Sequence, residues 1–380
     1  MAALVLNEEQ NMLRDAAQRF FRENAPVSQL RALRDTRDET GFSTELWHNM
    51  AHMGFAGTLI SEDFGGSGFG HVGMGQLFEQ AGRNLSASPL FSSSVLAAAT
   101  LSLAGSDEQK RAMLPAIASG NLIVTLAIDE KARHQPWSIN TTAQNLDGGF
   151  VINGHKCSVV DGHVADKLIV AARTSIGSQD SDGISLFVID PGTDGVRVER
   201  TIMADSRNAA RITLDHVRVD DDALLGELNQ AHPVVESVLN AGNAQLAAEL
   251  LGLSLEAFER TASFLQERKQ FGVVIGSFQA LQHRAAHMFS ELELVKSVVL
   301  KALVALDEGA PDASALVSLA KAKACEVAEL VTNEMIQMHG GMGMTDEFDA
   351  GLFIKRARVV QQLLGDYRYH ADRFALLHGF

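Results

Sequence analysis

The chain has 380 residues, 46% of them apolar, 7 prolines and a formal charge of -15. That length exceeds the size at which one hydrophobic core keeps growing, so two or three packed domains are expected, ordered and mostly helical rather than disordered or repetitive. The acidic balance excludes nucleic acid or an anionic membrane as the main partner, and it leaves any phosphate-bearing ligand to local positive charge.

Residues 1–9 carry neither the basic segment nor the long apolar stretch of a signal peptide, so the expected compartment is the cytoplasm. From Asn7 the pattern is helical: a capping residue, Glu8 and Glu9 in the first turn, then Met12, Leu13, Ala16, Ala17, Phe20 and Phe21 at three- and four-residue spacing. The run Gly65-Gly66-Ser67-Gly68-Phe69-Gly70 superficially suggests a dinucleotide loop. No strand precedes it and the glycine spacing is wrong, so it reads as a tight connection between helices.

Near Asn121 short β-rich runs replace the helical period and persist to about Gly226. Phe150-Val151-Ile152 runs into Asn153-Gly154, a pair that favours a hairpin turn. Segments 168–170, 184–189, 195–198 and 212–214 continue the pattern between Gly, Asp and Pro signals, which predicts a small barrel or sandwich. Helices return after Pro233 over 234–266, 277–307 and 312–339, with a reversal at Glu308-Gly309-Ala310-Pro311 and a glycine stop at Gly340-Gly341. Rods of this length, about 45 Å, joined by short connections read as an antiparallel bundle. Lys296, Lys301, Lys321 and Lys323 punctuate them and remove a transmembrane reading. The expected domains are 1–121, 122–227 and 228–380. Cys157 and Cys325 stand far apart without a metal-ligand spacing, so both read as reduced packing residues and no metal site is expected.

Two segments carry chemistry. Arg268-Lys269-Gln270-Phe271-Gly272, followed by Phe278-Gln279, brings guanidinium for phosphate, amides for hydrogen bonds and aromatic surface for rings into one inter-rod loop. Gln337-Met338-His339-Gly340-Gly341 ends the third rod, where glycine permits close approach of a ligand and a helix opening near Thr345-Asp346-Glu347 would add amide donors.

These segments, the helical–β–helical order, Glu8-Glu9-Gln10, and the stretches Gly54-Phe55-Ala56-Gly57 and Phe64-Gly65-Gly66-Ser67-Gly68 resemble the acyl-CoA dehydrogenase family over essentially the full length. The resemblance implies an α+β multidomain fold: an N-terminal α-helical domain, a middle β-barrel or sandwich, and a C-terminal antiparallel four-helix bundle. It implies FAD as cofactor, with Arg268, Gln270, Phe271, Phe278, Gln279, Gln337, Gly340 and Gly341 as contacts, some across a subunit boundary in a tetramer built as a dimer of dimers. The implied reaction is α,β-dehydrogenation of an acyl-CoA, in which a carboxylate takes the α-proton, hydride leaves the β-carbon for the flavin, and electrons pass on to an electron-transfer flavoprotein.

The sequence departs from the family where the base belongs. Leu364 stands in place of the usual glutamate, with Gly365 matching the glycine that follows it, and the family's alternative position falls at Gly242. Asp366 is the first substitute candidate and Glu249, two turns beyond Gly242 on the same helix face, the second; a capping role for Asp366 stays open. The family's Thr-Glu-Pro-x-x-Gly-Ser-Asp element is replaced by residues 128–138, and Ser158 and Val160 occupy the positions that normally cover the flavin ring. Such variants resemble subunits of heterotetrameric members that act on bulky, steroid-like or branched acyl-CoAs. Three readings follow: a dehydrogenase, alone or with a paralogous partner; a non-catalytic subunit completing a partner's FAD site; or an oxidase or flavin monooxygenase on the same fold.

Overall fold

The computed structural model describes residues 5–175 and 181–380. Residues 1–4, which open the stretch read above for a leader, lie outside the described residues. Helices α1 (Glu8–Asn24), α2 (Val27–Thr36), α3 (Thr44–His52), α4 (Gly70–Arg83), α5 (Ala98–Ala104) and α6 (Asp107–Ala118) precede strands β1 (Val124–Ala127), β2 (Thr142–Leu146), β3 (Gly149–Val160), β4 (Lys167–Arg173), β5 (Ile184–Ile189), β6 (Val196–Ile202), β7 (Asn208–Asp220) and β8 (Leu224–Leu225). After them come α7 (His232–Glu267), the short strands β9 (Lys269–Gln270) and β10 (Val273–Val274), and helices α8 (Gln279–Asp307), α9 (Ala313–His339), α10 (Ala350–Gln362) and α11 (Tyr367–Leu377). Helices, a β region and a helical bundle therefore succeed one another as the sequence pattern predicts.

The chain divides into two compact units, one of residues 5–32, 71–86 and 243–380, the other of 33–70 and 87–242. In the first, α1 opens on a reciprocal cap, with the Asn7 side chain accepting from the Gln10 amide at 2.8 Å and the Gln10 side chain accepting from the Asn7 amide at 3.0 Å. Ala17 and Phe21 of α1 are fully buried, whereas Met12 of the same periodic run is 66% exposed. Helix α7, 36 residues long, crosses α4 at two reciprocal glycines. A Cβ on Gly82 would stand 2.3 Å from the Glu249 carbonyl oxygen, and one on Gly252 1.9 Å from that of Glu79, so only glycine lets these backbones touch.

In the second unit the run at Gly65–Gly70 is a tight connection. The amides of Gly66, Ser67, Gly68 and Phe69 donate to the carbonyls of Ser61, Gly57, Ile60 and Thr58, which leaves these donors committed to the loop itself rather than to a phosphate. The strands form one sheet in the order β6-β7-β3-β2-β4-β5-β8, with β1 pairing β4, and its buried side chains, Phe150, Ile152, Leu168, Val170, Phe187 and Ile212 among them, gather into one core.

The hairpin expectation at Asn153-Gly154 is corrected. The β2–β3 turn lies at Asp147-Gly148, since Leu146 pairs with Gly149, and Asn153-Gly154 is a bulge inside β3, where the register shifts between Ile152 and Gly154. Gly154 has φ +153, its missing Cβ would collide with Thr141, and the Asn153 side chain caps the His216 amide at 2.8 Å. A second difference concerns the helix predicted to open near Thr345: residues 340–344 form a 3-10 turn and α10 begins at Ala350, after Asp349.

Candidate functional site

The α7–α8 connection is a minimal β-hairpin. Gln270 pairs with Val273 and Lys269 with Val274, and the two turn residues Phe271 (φ 53) and Gly272 (φ 81) both lie in the left-handed region, as a two-residue turn of this hand demands. Glycine accepts that geometry without strain; phenylalanine does not. The strained residue is also 88% exposed, its ring 6.2 Å from that of Phe278 in an edge-on arrangement. Arg268, Lys269, Gln270 and Gln279 are exposed as well. Hydrophobic rings held out beside a guanidinium suit a ligand with both a flat ring and an anionic group.

Helix α9 stops at Gly340 (φ 61), where a side chain would be strained, and a Cβ on Gly340 or Gly341 would meet nothing within 4 Å. The space over both glycines is open, and Gln337 beside them is exposed. What fixes this turn is His339, which the sequence reading quoted only as part of a motif. Its buried ring stacks on Phe264 of α7 at 4.3 Å and leans on Phe348 at 4.5 Å, with Nδ1 2.7 Å from the Met335 carbonyl oxygen. That carbonyl can only accept, so Nδ1 carries the proton. Burial pushes the imidazole below its ordinary value of 6.5 against the opposing pull of this hydrogen bond, which makes the ring a neutral spacer between two phenylalanines.

The candidate bases occupy different surroundings. Glu249 of α7 is 3% exposed, and its Oε1 accepts from both Nε and Nη2 of Arg356 at 2.7 Å. A carboxylate tied into a buried pair of this geometry is a structural brace between α7 and α10. Asp366 is the N-cap of α11, its Oδ1 accepting from the Tyr369 amide at 2.9 Å. It also lines a cavity of about 700 Å³ walled by α8 to α11, together with Arg358, Tyr367, Arg368, His287 and Lys323. Leu364 lies between them in sequence at φ 55.

In the second unit, residues 128–138 form a folded loop. Glu130 anchors it, accepting from the amides of Asn140 (2.7 Å) and Thr141 (2.9 Å) and from Lys156 Nζ at 2.9 Å. Burial by itself would raise the Glu130 carboxyl; the Lys156 ammonium and the hydrogen bonds from Lys156 and Thr141 outweigh it and hold the group down to about 2. Nearby, Asp129 accepts from the Gln135 amide at 3.0 Å and lies 2.7 Å from His134 Nδ1. Ser158 is exposed at φ 54, inside the register shift between Lys156 and Val159.

A flavoprotein oxidoreductase is the class these features define: an aromatic–guanidinium hairpin, a glycine turn open to a ligand, and a helical–β–helical chain. Residues 7–121, 127–217 and 232–375 match, in order, the N-terminal, middle and C-terminal domains of acyl-CoA dehydrogenase. The chain belongs to the acyl-CoA dehydrogenase family of FAD-dependent enzymes. It is similar to the probable acyl-CoA dehydrogenase YngJ of Bacillus subtilis, 29% identical over 364 residues that cover 94% of each chain. The caffeyl-CoA reductase-Etf complex subunit CarC of Acetobacterium woodii is 28% identical over 363 residues, again 94% of each. Among solved structures, the ChsE4-ChsE5 complex from Mycobacterium tuberculosis superposes with a TM-score of 0.89 at 25% identity over 99% of both chains. Among the described residues, no helix is long and apolar enough to cross a membrane.

Proposed function

We propose that this chain works in the FAD-dependent α,β-dehydrogenation of an acyl-CoA thioester to the trans-2-enoyl-CoA, within a cytoplasmic homotetramer or heterotetramer, in fatty-acid or steroid side-chain breakdown. Electrons leave to an electron-transfer flavoprotein, a partner class suggested by the Etf complex to which CarC belongs. The functional partition is 1–121, 122–227 and 228–380. The observation that carries the reading is the exposed cofactor edge. Arg268 would neutralise the diphosphate, Phe271 and Phe278 would take the adenine face, Gln270, Gln279 and Gln337 would supply hydrogen bonds, and Gly340 and Gly341 would let the ligand approach the chain closely.

Bound FAD supplies the hydride acceptor. The chain's own share is to hold the thioester and accept the α-proton. Asp366 is the better candidate for that second task because it lines a cavity of about 700 Å³, whereas Glu249 is paired with Arg356.

A second reading is favoured by Leu364 and by that same Glu249–Arg356 pair: the chain is a non-catalytic subunit that completes the FAD site of a paralogous chain, as befits a relative of a two-component complex. Purification from the native cell, with flavin content and subunit identity determined together, separates the two. Yellow protein made of this chain alone, bleached by an acyl-CoA, supports the first. Colourless protein that takes up FAD only with its partner supports the second. Absence of flavin from both preparations contradicts either.

A further inference from the structure

Helix α10 ends at Gln362, and residues 363–366 turn the chain into α11. Three successive carbonyls of this turn are each held by a buried side chain. Lys321 Nζ, from the middle of α9, donates to the Leu363 and Gly365 carbonyl oxygens, both at 2.9 Å. His370 Nε2, one turn into α11, lies 3.1 Å from the Leu364 carbonyl oxygen and must donate to it. Lys321 and His370 are both 0% exposed. Two further constraints close the turn. Asp366 caps the Tyr369 amide, and a Cβ on Gly365 would stand 2.4 Å from the Tyr369 ring.

The residue at the centre of this clamp is leucine at φ 55, a conformation that a branched side chain rarely adopts and that persists only when the surroundings over-determine it. An ordinary helix stop does not need this arrangement. Lysines that cap a helix end come from its own last turn and stay in water, whereas Lys321 comes from another helix and is buried. Burial pushes its amine below the ordinary value of 10.5, with Cys325 and Asp366 opposing. A desolvated amine spent on backbone oxygens is a costly way to end a helix and an effective way to aim one residue.

We propose that Lys321 is a positioning residue: with His370 it fixes the backbone of the α10–α11 turn and so sets the direction of the side chain at position 364, which matches the family's base position and is leucine in this chain. The proposal rests on the dehydrogenase reading, in which position 364 matches the family's base and Asp366 stands in for it. Its own content is the clamp and the direction the clamp imposes.

The test is a double-mutant cycle in the assembled, flavin-loaded protein. Leu364→Gly relieves the left-handed strain, so it is tolerated better with Lys321 present than in a Lys321→Met background, where the turn has already relaxed; the two effects on the melting temperature are non-additive. Equal effects of Leu364→Gly in both backgrounds overturn the clamp. The second arm reads direction rather than folding. Leu364→Glu speeds anaerobic bleaching of the flavin at saturating acyl-CoA at least about tenfold over the unmodified chain, and adding Lys321→Met abolishes the gain while flavin content and acyl-CoA affinity hold. A gain that survives Lys321→Met, or no gain in protein that binds both flavin and acyl-CoA, overturns the positioning role. A complex without flavin fails the cofactor reading instead, and the stability cycle then decides the clamp by itself.

Discussion

Two turns of the helical unit carry a bulky apolar residue in the left-handed region, Phe271 at φ 53 between α7 and α8 and Leu364 at φ 55 between α10 and α11. The first is a two-residue hairpin with nothing packed against its glycine, and its phenylalanine stands in solvent. The second is gripped through three carbonyls by Lys321 and His370. Strain at an exposed tip, where the ring meets only the edge of Phe278, suits a surface kept for binding. Strain inside a clamp serves direction. The contrast matches the two halves of the proposed function: an open edge proposed for the cofactor, and a clamped turn whose residue at the family's base position is leucine.

The largest effect expected around the closed turn comes from the brace behind it. Arg356→Met removes the buried guanidinium that Glu249 accepts from and costs about 3–5 kcal/mol of stability, read by denaturant unfolding. Loss of less than about 1 kcal/mol would mean that the pair is solvated and that Glu249 is available for chemistry.

A smaller effect distinguishes the turns directly. Gly365→Ala collides with Tyr369 and costs on the order of 3 kcal/mol, whereas Gly272→Ala, with nothing within 4 Å of its Cβ, costs about 1 kcal/mol from its φ of +81 alone. Equal costs would remove the distinction between an open and a clamped connection.

The smallest effect is on pH dependence. His339 is held neutral by burial, its folded value below the ordinary 6.5, so its contribution to stability is present above that value and is lost as pH falls below it, where the unfolded chain binds the proton more readily. The protection factor of amides at the Gly340 turn, the intrinsic exchange rate divided by the measured one at each pH, should therefore fall on acidification, and His339→Phe should flatten that dependence.

The helices were legible because apolar spacing, the Asn7 cap and the Gly340 stop all point the same way, and the candidate cofactor segment stood out because guanidinium, amide and aromatic groups crowd into one short loop. Turn placement was less so. Asn153-Gly154 and Asp147-Gly148 are both hairpin-type pairs, and only the pairing of Leu146 with Gly149 decides between them, a long-range fact of sheet register. Buried charge was least legible. In sequence Lys321 counts only against a membrane-spanning helix, yet it sits on the buried stripe with Val317, Ala324 and Ala328, and the position of the α10–α11 carbonyls explains why a lysine belongs there. Glu130 with Lys156 and Glu249 with Arg356 are the same case, since a charge paired across distant segments looks in sequence like any surface charge.

The most direct measurement is anaerobic reduction of the bound flavin by an acyl-CoA in the native complex, with and without Asp366→Asn, a change that keeps the α11 cap while removing a basic oxygen. The dehydrogenase account predicts that the variant retains its flavin but loses acyl-CoA-driven bleaching by at least about a hundredfold, with chemical reduction unaffected. Unchanged bleaching would contradict Asp366 as the base and would favour the reading in which this chain completes another subunit's FAD site.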